Sequence, residues 1–168
     1  MLMARQLWLL RHGEAEPHGS RPDPERQLTE RGAEQSRCAG AALVALRARF
    51  DAVLTSPKVR ALETARLAAA AWGAEPEVYE PLASGFDASE LGDAFAVAAP
   101  DNPSSARLLI VGHEPDFSTT VAQLTGARID LKKGGLAAVR LVGGGGQLIA
   151  LMRPAEVARI ASAAVHVR

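Results

Sequence analysis

Arg11-His12-Gly13 stands directly behind an apolar run, Leu7-Trp8-Leu9-Leu10. Two further apolar runs end the same way. Ala52-Val53-Leu54 leads into Thr55-Ser56-Pro57-Lys58-Val59-Arg60, and Leu108-Leu109-Ile110-Val111 leads into Gly112-His113-Glu114-Pro115. A short run of branched apolar residues reads as a buried strand, and a helix-like pattern follows each of these. In an open parallel sheet, ligands bind beyond the carboxyl ends of the strands. Three such ends would gather Arg11, His12, Arg60 and His113, an anion site with a candidate histidine nucleophile inside it.

Each residue has a plainer reading when taken alone. A strand-end His is commonly a capping or packed residue, and an Arg on a helix is commonly solvated. Context favours chemistry. Arg11 would disfavour protonation of His12, and an attacking imidazole must be neutral. Arg60, in the first turn of its predicted helix, opposes the helix dipole, which favours anions there by ~0.3–1 kcal/mol. A phosphate resting on both the helix end and the guanidinium accounts for it. Gly13 and Gly112 let the backbone turn and a ligand approach. Glu14, Glu16 and His18 leave a metal site open as a rival, against which the two arginines would repel a cation; no metal and no cofactor is expected.

Positioning these residues requires alternating strands and helices. A first strand covers about 5–11. Pro17, Gly19, Pro22 and Pro24 hold 13–27 in a loop. Thr29 is a plausible N-cap of a helix to about Arg49, with Ala39, Leu43, Leu46 and Phe50 as its buried stripe. A second strand spans about 51–55. Ser56 reads as an N-cap with Pro57 at the first helical position, and that helix ends at Gly73. A short extended piece within 77–87, a loop at Gly85 and a helix near 88–98 follow. The third strong strand is 107–112, with a helix from about Pro115 to Leu124. Residues 135–142 and 147–152 form a hairpin with a loose turn around Gly143–Gly146, and Pro154 opens a last helix to about Ser162. Gly143–Gly146 lacks a following Lys-Ser/Thr and a helix, so it reads as a turn and not a phosphate loop.

The 168 residues are most simply one domain, 1–168. Hydrophobic content of 48% supports a core. Lys+Arg and Asp+Glu balance at 19 each, so no global field draws in nucleic acid. Cys38 is the only cysteine, which excludes an intrachain disulfide and a Cys-based zinc site. The apolar stretch Leu7–Leu10 is too short for a signal or a membrane span. A cytoplasmic location without membrane partners is expected.

Arg11-His12-Gly13-Glu14, then Leu28-Thr29-Glu30-Arg31-Gly32, then Ser56-Pro57-x-x-Arg60-Ala61-x-x-Thr64, then Val111-Gly112-His113 resemble the histidine phosphatase superfamily, which includes the cofactor-dependent phosphoglycerate mutases. The motifs run in the expected order across 7–120. The short chain, Gly112-His113-Glu114-Pro115 and Lys132-Lys133-Gly134-Gly135 look most like the small SixA-type phosphohistidine phosphatases. The resemblance implies a phosphoglycerate mutase-like, three-layer α/β/α sandwich with a mostly parallel sheet. It implies that His12 is phosphorylated in turnover and that Arg11, Arg60 and His113 hold the phosphoryl oxygens. Gly13, His18, Ser56, Gly112, Lys132 and Lys133 are the expected surroundings of the phosphate or substrate.

Two departures from the mutase pattern matter. His18 stands where mutase-type members carry Asn. The segment Glu80-Pro81-Leu82-Ala83-Ser84 puts no carboxylate where their general acid is expected, a gap the SixA type shares. Glu80, Asp87 and Glu90 remain candidates for the acid. The gap fits an imidazole leaving group, since a phosphoramidate nitrogen can already be protonated near neutral pH. The 34 residues from 73 to 106 leave little for a lid. The expected activity is therefore a metal-independent phosphatase acting on phosphohistidine in a protein. The alternatives are a phosphatase for a small phosphoester and a non-catalytic phosphate-binding module.

Overall fold

The computed structural model describes residues 4–165. Its strands are β1 (Gln6–Arg11), β2 (Ala52–Thr55), β3 (Glu77–Val78), β4 (Arg107–Gly112), β5 (Leu136–Val142) and β6 (Gly145–Met152). Its helices are α1 (Glu30–Ala45), α2 (Val59–Ala69), α3 (Leu91–Ala98), α4 (Asp116–Thr125) and α5 (Pro154–Val165). The strands form one six-stranded sheet in the order β3-β2-β4-β1-β5-β6. β3, β2, β4 and β1 run parallel, and β5 is antiparallel to both its neighbours.

Alternation along the strands sends their side chains into two cores. Leu7, Leu9, Leu54, Leu108, Ile110, Ala137 and Val139 meet Phe86, Phe95, Phe117 and Val121 on one face, where α3 and α4 pack. Leu10, Val53, Leu109, Val111 and Leu136 meet Ala39, Leu43, Ala61, Ala65 and Val157 on the other, under α1, α2 and α5. The expected mostly parallel α/β/α sandwich is the observed architecture. Among the described residues no helix is long and apolar enough to cross a membrane.

Thr29 caps α1 as expected, its hydroxyl accepting the Gly32 N–H at 3.1 Å. The helix stops at Ala45, four residues before Arg49, because Arg47 turns left-handed at φ 56°. Leu46 therefore leaves the expected buried stripe and is exposed, while Phe50 packs from beyond the helix. Helix α2 starts at Val59, so Ser56 is not its N-cap and Pro57 is not its first residue. The Ser56 hydroxyl accepts the Lys58 N–H in the turn before the helix and is otherwise spent on His113. The hairpin turn is tighter than expected. Val142 pairs with Gly145, leaving Gly143 and Gly144 as a two-residue turn with Gly143 at φ 59°. The short segment 73–106 is spent on the core, where Leu82, Phe86, Leu91, Ala94 and Phe95 are all buried.

The start of α1 is pressed against the chain leaving β1. A Cβ on Gly32 would lie 1.9 Å from the Glu14 carbonyl oxygen, and one on Gly13 would lie 2.4 Å from the Gly32 carbonyl oxygen. Gly→Ala inside a helix ordinarily gains stability through propensity. Gly32→Ala should instead lose at least about 1 kcal/mol, because backbone must move to admit the methyl. Thermal or urea melting reads the sign directly, and a stabilised variant would contradict the packing.

Candidate active site

The sheet register assembles the site. Arg11 on β1 pairs with Gly112 on β4, so the residues that follow, His12 and His113, leave the sheet side by side. Their ring centroids are 5.2 Å apart. The His12 N–H donates to the Gly112 carbonyl at 3.1 Å and locks the two strand ends together. Thr55 pairs with Val111, which brings Ser56 next to His113. The Ser56 hydroxyl lies 2.7 Å from His113 Nε2. That oxygen also accepts from the Lys58 N–H, and its second lone pair and its own hydrogen both remain open to Nε2, so the direction of this bond follows the His113 tautomer. His113 Nδ1 is buried with no protein partner among the described residues.

His12 has a defined tautomer. Its Nδ1 lies 2.7 Å from the Gly13 carbonyl oxygen, which can only accept. Nδ1 therefore carries the hydrogen and Nε2 carries the lone pair. The Arg60 Nε–H points at that lone pair from 3.3 Å. His12, Arg60 and His113 are 6%, 4% and 7% exposed. Burial, then the Arg60, Arg11 and Lys133 charges, pulls the His12 pKa down to about 3, against an opposing contribution from the Gly13 bond. Burial, then His12, Arg60 and Lys58, brings His113 to about 3, with Asp23 opposing. Both imidazoles are neutral at pH 7. Among the described residues no carboxylate hydrogen-bonds to either ring.

Arg60 is held through all three of its nitrogens. Nη1 donates to the Asp23 carbonyl at 2.7 Å, Nη2 to the Asp23 carboxylate at 3.2 Å, and Nε faces His12. Asp23 thus compensates the positive charge in the first turn of α2 and is a residue that sequence reasoning passed over. Its only local signal was an acid between Pro22 and Pro24, three residues before the buried Arg26, whose Nε and Nη2 also donate to it. Thr64, which the sequence motif includes but which is not among the expected site residues, also has a role. Its hydroxyl donates to the Arg60 carbonyl one helical turn back and accepts the Gly13 N–H, tying α2 to the end of β1.

Other expected site residues distribute around this centre. Arg11, adjacent to His12, leaves the strand on the opposite side, as strand alternation requires. Its Nη1 donates to the Leu131 carbonyl at 2.9 Å and its Nε is buried without a partner. Gly112 lies against the Phe117 ring, where a Cβ would come within 2.8 Å. Gly134, at φ 76°, donates its N–H to the Arg11 and His12 carbonyls, so the 132–135 turn closes on the site. Lys132 pairs with Asp130 at 2.5 Å, whereas Lys133 carries its charge toward His12. His18 is on the exposed rim, 3.9 Å from Asp23.

Among the described residues none of the remaining acids hydrogen-bonds to His12 or His113. Asp87 accepts from Ser89 and Gln123. Glu90 acts on Tyr79, and Glu80 opens the 3-10 turn after β3. Of the rival metal ligands, Glu14 holds Thr29 and Arg31, and Glu16 holds Arg21. Among the described residues no three His, Cys, Asp or Glu side chains converge on one point.

Two imidazoles with folded pKa values near 3 bind protons less readily than the same residues unfolded, at 6.5. Between those values the unfolded chain takes up more protons, so stability is full above about pH 6.5 and falls as pH drops toward 3. Lowering pH from 7 to 5 should cost on the order of 1 kcal/mol or more. A His113→Asn variant should show a shallower loss. Melting curves across this range check it, and an equal slope in the variant would contradict the buried neutral state.

Comparison with known proteins follows the same lines. A model of the histidine phosphatase superfamily (branch 1) matches residues 7–84. An uncharacterized protein of Picosynechococcus sp. is 35% identical over 146 residues, covering 80% of this chain and 84% of that protein. The structure of the protein histidine phosphatase SixA complexed with tungstate superimposes with a TM-score of 0.76 at 26% identity, covering 90% of this chain and 99% of that one. The alpha-ribazole phosphatase from Shigella flexneri shares the fold, with a TM-score of 0.71 at 20% identity over 89% of this chain and 96% of that one. The chain belongs to the histidine phosphatase superfamily, in its SixA-like branch, and is a phosphatase.

Proposed function

We propose that this phosphatase hydrolyses phosphohistidine in a protein, through a phosphorylated His12 and without a metal ion. The observation that carries the reading is the His12 tautomer: Nδ1–H is anchored on the Gly13 carbonyl, and the Nε2 lone pair is neutral, buried and directed at Arg60. The similar SixA structure is a tungstate complex, and tungstate is a tetrahedral oxyanion like phosphate.

In the first step the Nε2 lone pair attacks phosphorus in line, and the bond from phosphorus to the substrate nitrogen breaks. The electron pair of that bond stays on the nitrogen that bore phosphorus; the imidazole leaves as a neutral ring when its other nitrogen is already protonated, and otherwise takes a proton from water. Arg60 and His113 supply positive charge and N–H donors to the equatorial oxygens, and Arg11, which points to the other side, contributes its charge at a distance rather than the contact expected of it. In the second step water attacks phosphorus, the bond to His12 Nε2 breaks, and inorganic phosphate leaves. Cationic side chains supply the charge that a metal would otherwise provide. An alkoxide leaving group would need a proton donor. The carboxylate beside this site, Asp23, is held ionised: burial works against that state, but hydrogen bonds from Arg26, Lys58 and Arg60 outweigh it. A protonated imidazole leaving group has no such need.

A turnover panel of phosphohistidine peptides against sugar, nucleotide and serine phosphoesters, with chelator present, tests the substrate class. Phosphohistidine should be preferred, and faster turnover of a phosphoester would move the assignment to small-molecule phosphatases. His12→Ala should abolish turnover, while the wild-type protein should yield acid-labile, base-stable phosphate on quenching. Equal activity in that variant would remove His12 from the chemistry.

Lys133 and Lys132 should differ in effect. Lys133→Ala should raise KM for a phosphoprotein several-fold at low salt and barely alter turnover of a small chromogenic phosphate, whereas Lys132→Ala should change little. The difference should shrink above ~0.15 M salt, where the screening length is roughly 8 Å. Equal KM values for the two variants would end the distinction.

A further inference from the structure

Asp23 lies in the 3-10 turn Asp23–Glu25, on the loop between β1 and α1. One of its carboxylate oxygens accepts from Arg26 Nε and Nη2 at 3.1 and 2.9 Å. The other accepts from Arg60 Nη2 and lies within reach of Lys58 Nζ, both at 3.2 Å. Its backbone carbonyl takes Arg60 Nη1. One carboxylate therefore faces three cations. Arg26 is committed to the loop itself, since its Nη1 donates to the Glu16 carbonyl at 2.6 Å. Arg60 acts on both imidazoles, and Lys58 acts on His113.

We propose that Asp23 is a positioning residue of the phosphoryl site, and that it does two things there. It clamps Nη1 and Nη2 of Arg60 so that Nε faces His12 Nε2. It also offsets the charge of Arg60 and Lys58, so that inorganic phosphate is held less tightly than those cations alone would hold it. The proposal rests on the reading that His12 and Arg60 handle a phosphoryl group. A guanidinium fixed through two nitrogens presents its third in one orientation, and rotation about its long side chain is then suppressed. A negative charge within about 4 Å of two cations lowers the attraction they exert on a dianion. A site that must release phosphate after every turnover benefits from that reduction.

Charge and geometry are separable by substitution. Asp23→Asn keeps an acceptor and removes the charge, and Asp23→Glu keeps the charge and misplaces the acceptor. Calorimetric titration with inorganic phosphate, on full-length protein shown by melting to be folded, reads the charge effect without requiring turnover. Asp23→Asn should bind phosphate at least about threefold more tightly than wild type, the scale of one partly exposed ion pair. Asp23→Glu should keep phosphate affinity within about twofold while kcat falls, the split expected when orientation alone is lost. Unchanged or weaker phosphate binding in folded Asp23→Asn would overturn the charge role. If Asp23→Asn fails to fold, wild-type kcat in Asp23→Glu would overturn the clamp, and lost kcat at unchanged affinity would support it. Tighter phosphate binding in a protein that never phosphorylates His12 would sink the phosphatase mechanism and leave the role of Asp23 standing.

Discussion

The parallel pairing of Arg11 with Gly112 is the constraint on which the site depends. Both strands end at the same level, both are buried in the sheet, and each is followed at once by a histidine. The His12 amide is committed to the Gly112 carbonyl, so the two imidazoles cannot slip relative to each other without breaking the ladder. A one-residue change of register would turn one ring to the opposite face of the sheet. The apolar flanks of β1 and β4 hold the register because they are buried on both sides, with Leu7, Leu9, Leu10 and Leu108 to Val111 all without solvent contact.

Around this pair the molecule keeps bases neutral by surrounding them with cations. Burial alone disfavours an imidazolium, and Arg60 adds to that at close range. The cost is a cluster of positive charge with few counter-ions, and Asp23 is the principal one. The loop bearing Asp23 is itself secured at both ends. Ala15 bridges Leu28, Thr29 N–H donates to the Glu14 carbonyl, and Arg26 fills the space between. Electrostatics of the site and folding of this loop are therefore one problem.

Much of the architecture is local in origin and was legible in order. Strand β4 is legible at 107–112, where the structure has it, because four branched apolar residues run into a glycine. Thr29 was legible as a cap because the motif is contained within four residues. The end of α1 was not, since Leu46-Arg47-Ala48-Arg49 carries no strong helix breaker and Arg47 adopts a left-handed backbone. Ser56 satisfied every local rule for an N-cap, yet its hydroxyl serves His113, which is 57 residues away along the chain. A local rule cannot weigh a competing partner from another strand.

The sequence by itself determined the strong strands, their ends and which Arg and His residues stand there, because periodicity, glycine placement and the position of Arg and His at strand ends are all written within a few residues. Tertiary structure alone decided how those residues are used. Adjacent Arg11 and His12 were bound to point to opposite sides, but only the folded chain settles that Arg11 meets the Leu131 carbonyl and His12 meets Arg60. Lys132 and Lys133 look equivalent in sequence, and an Asp130 partner separates them. Asp23 and Arg60 are 37 positions apart, joined by an irregular loop whose path has no period to read. Their meeting depends on where that loop crosses α2, which burial of Arg26 and the pairing of the loop ends fix together.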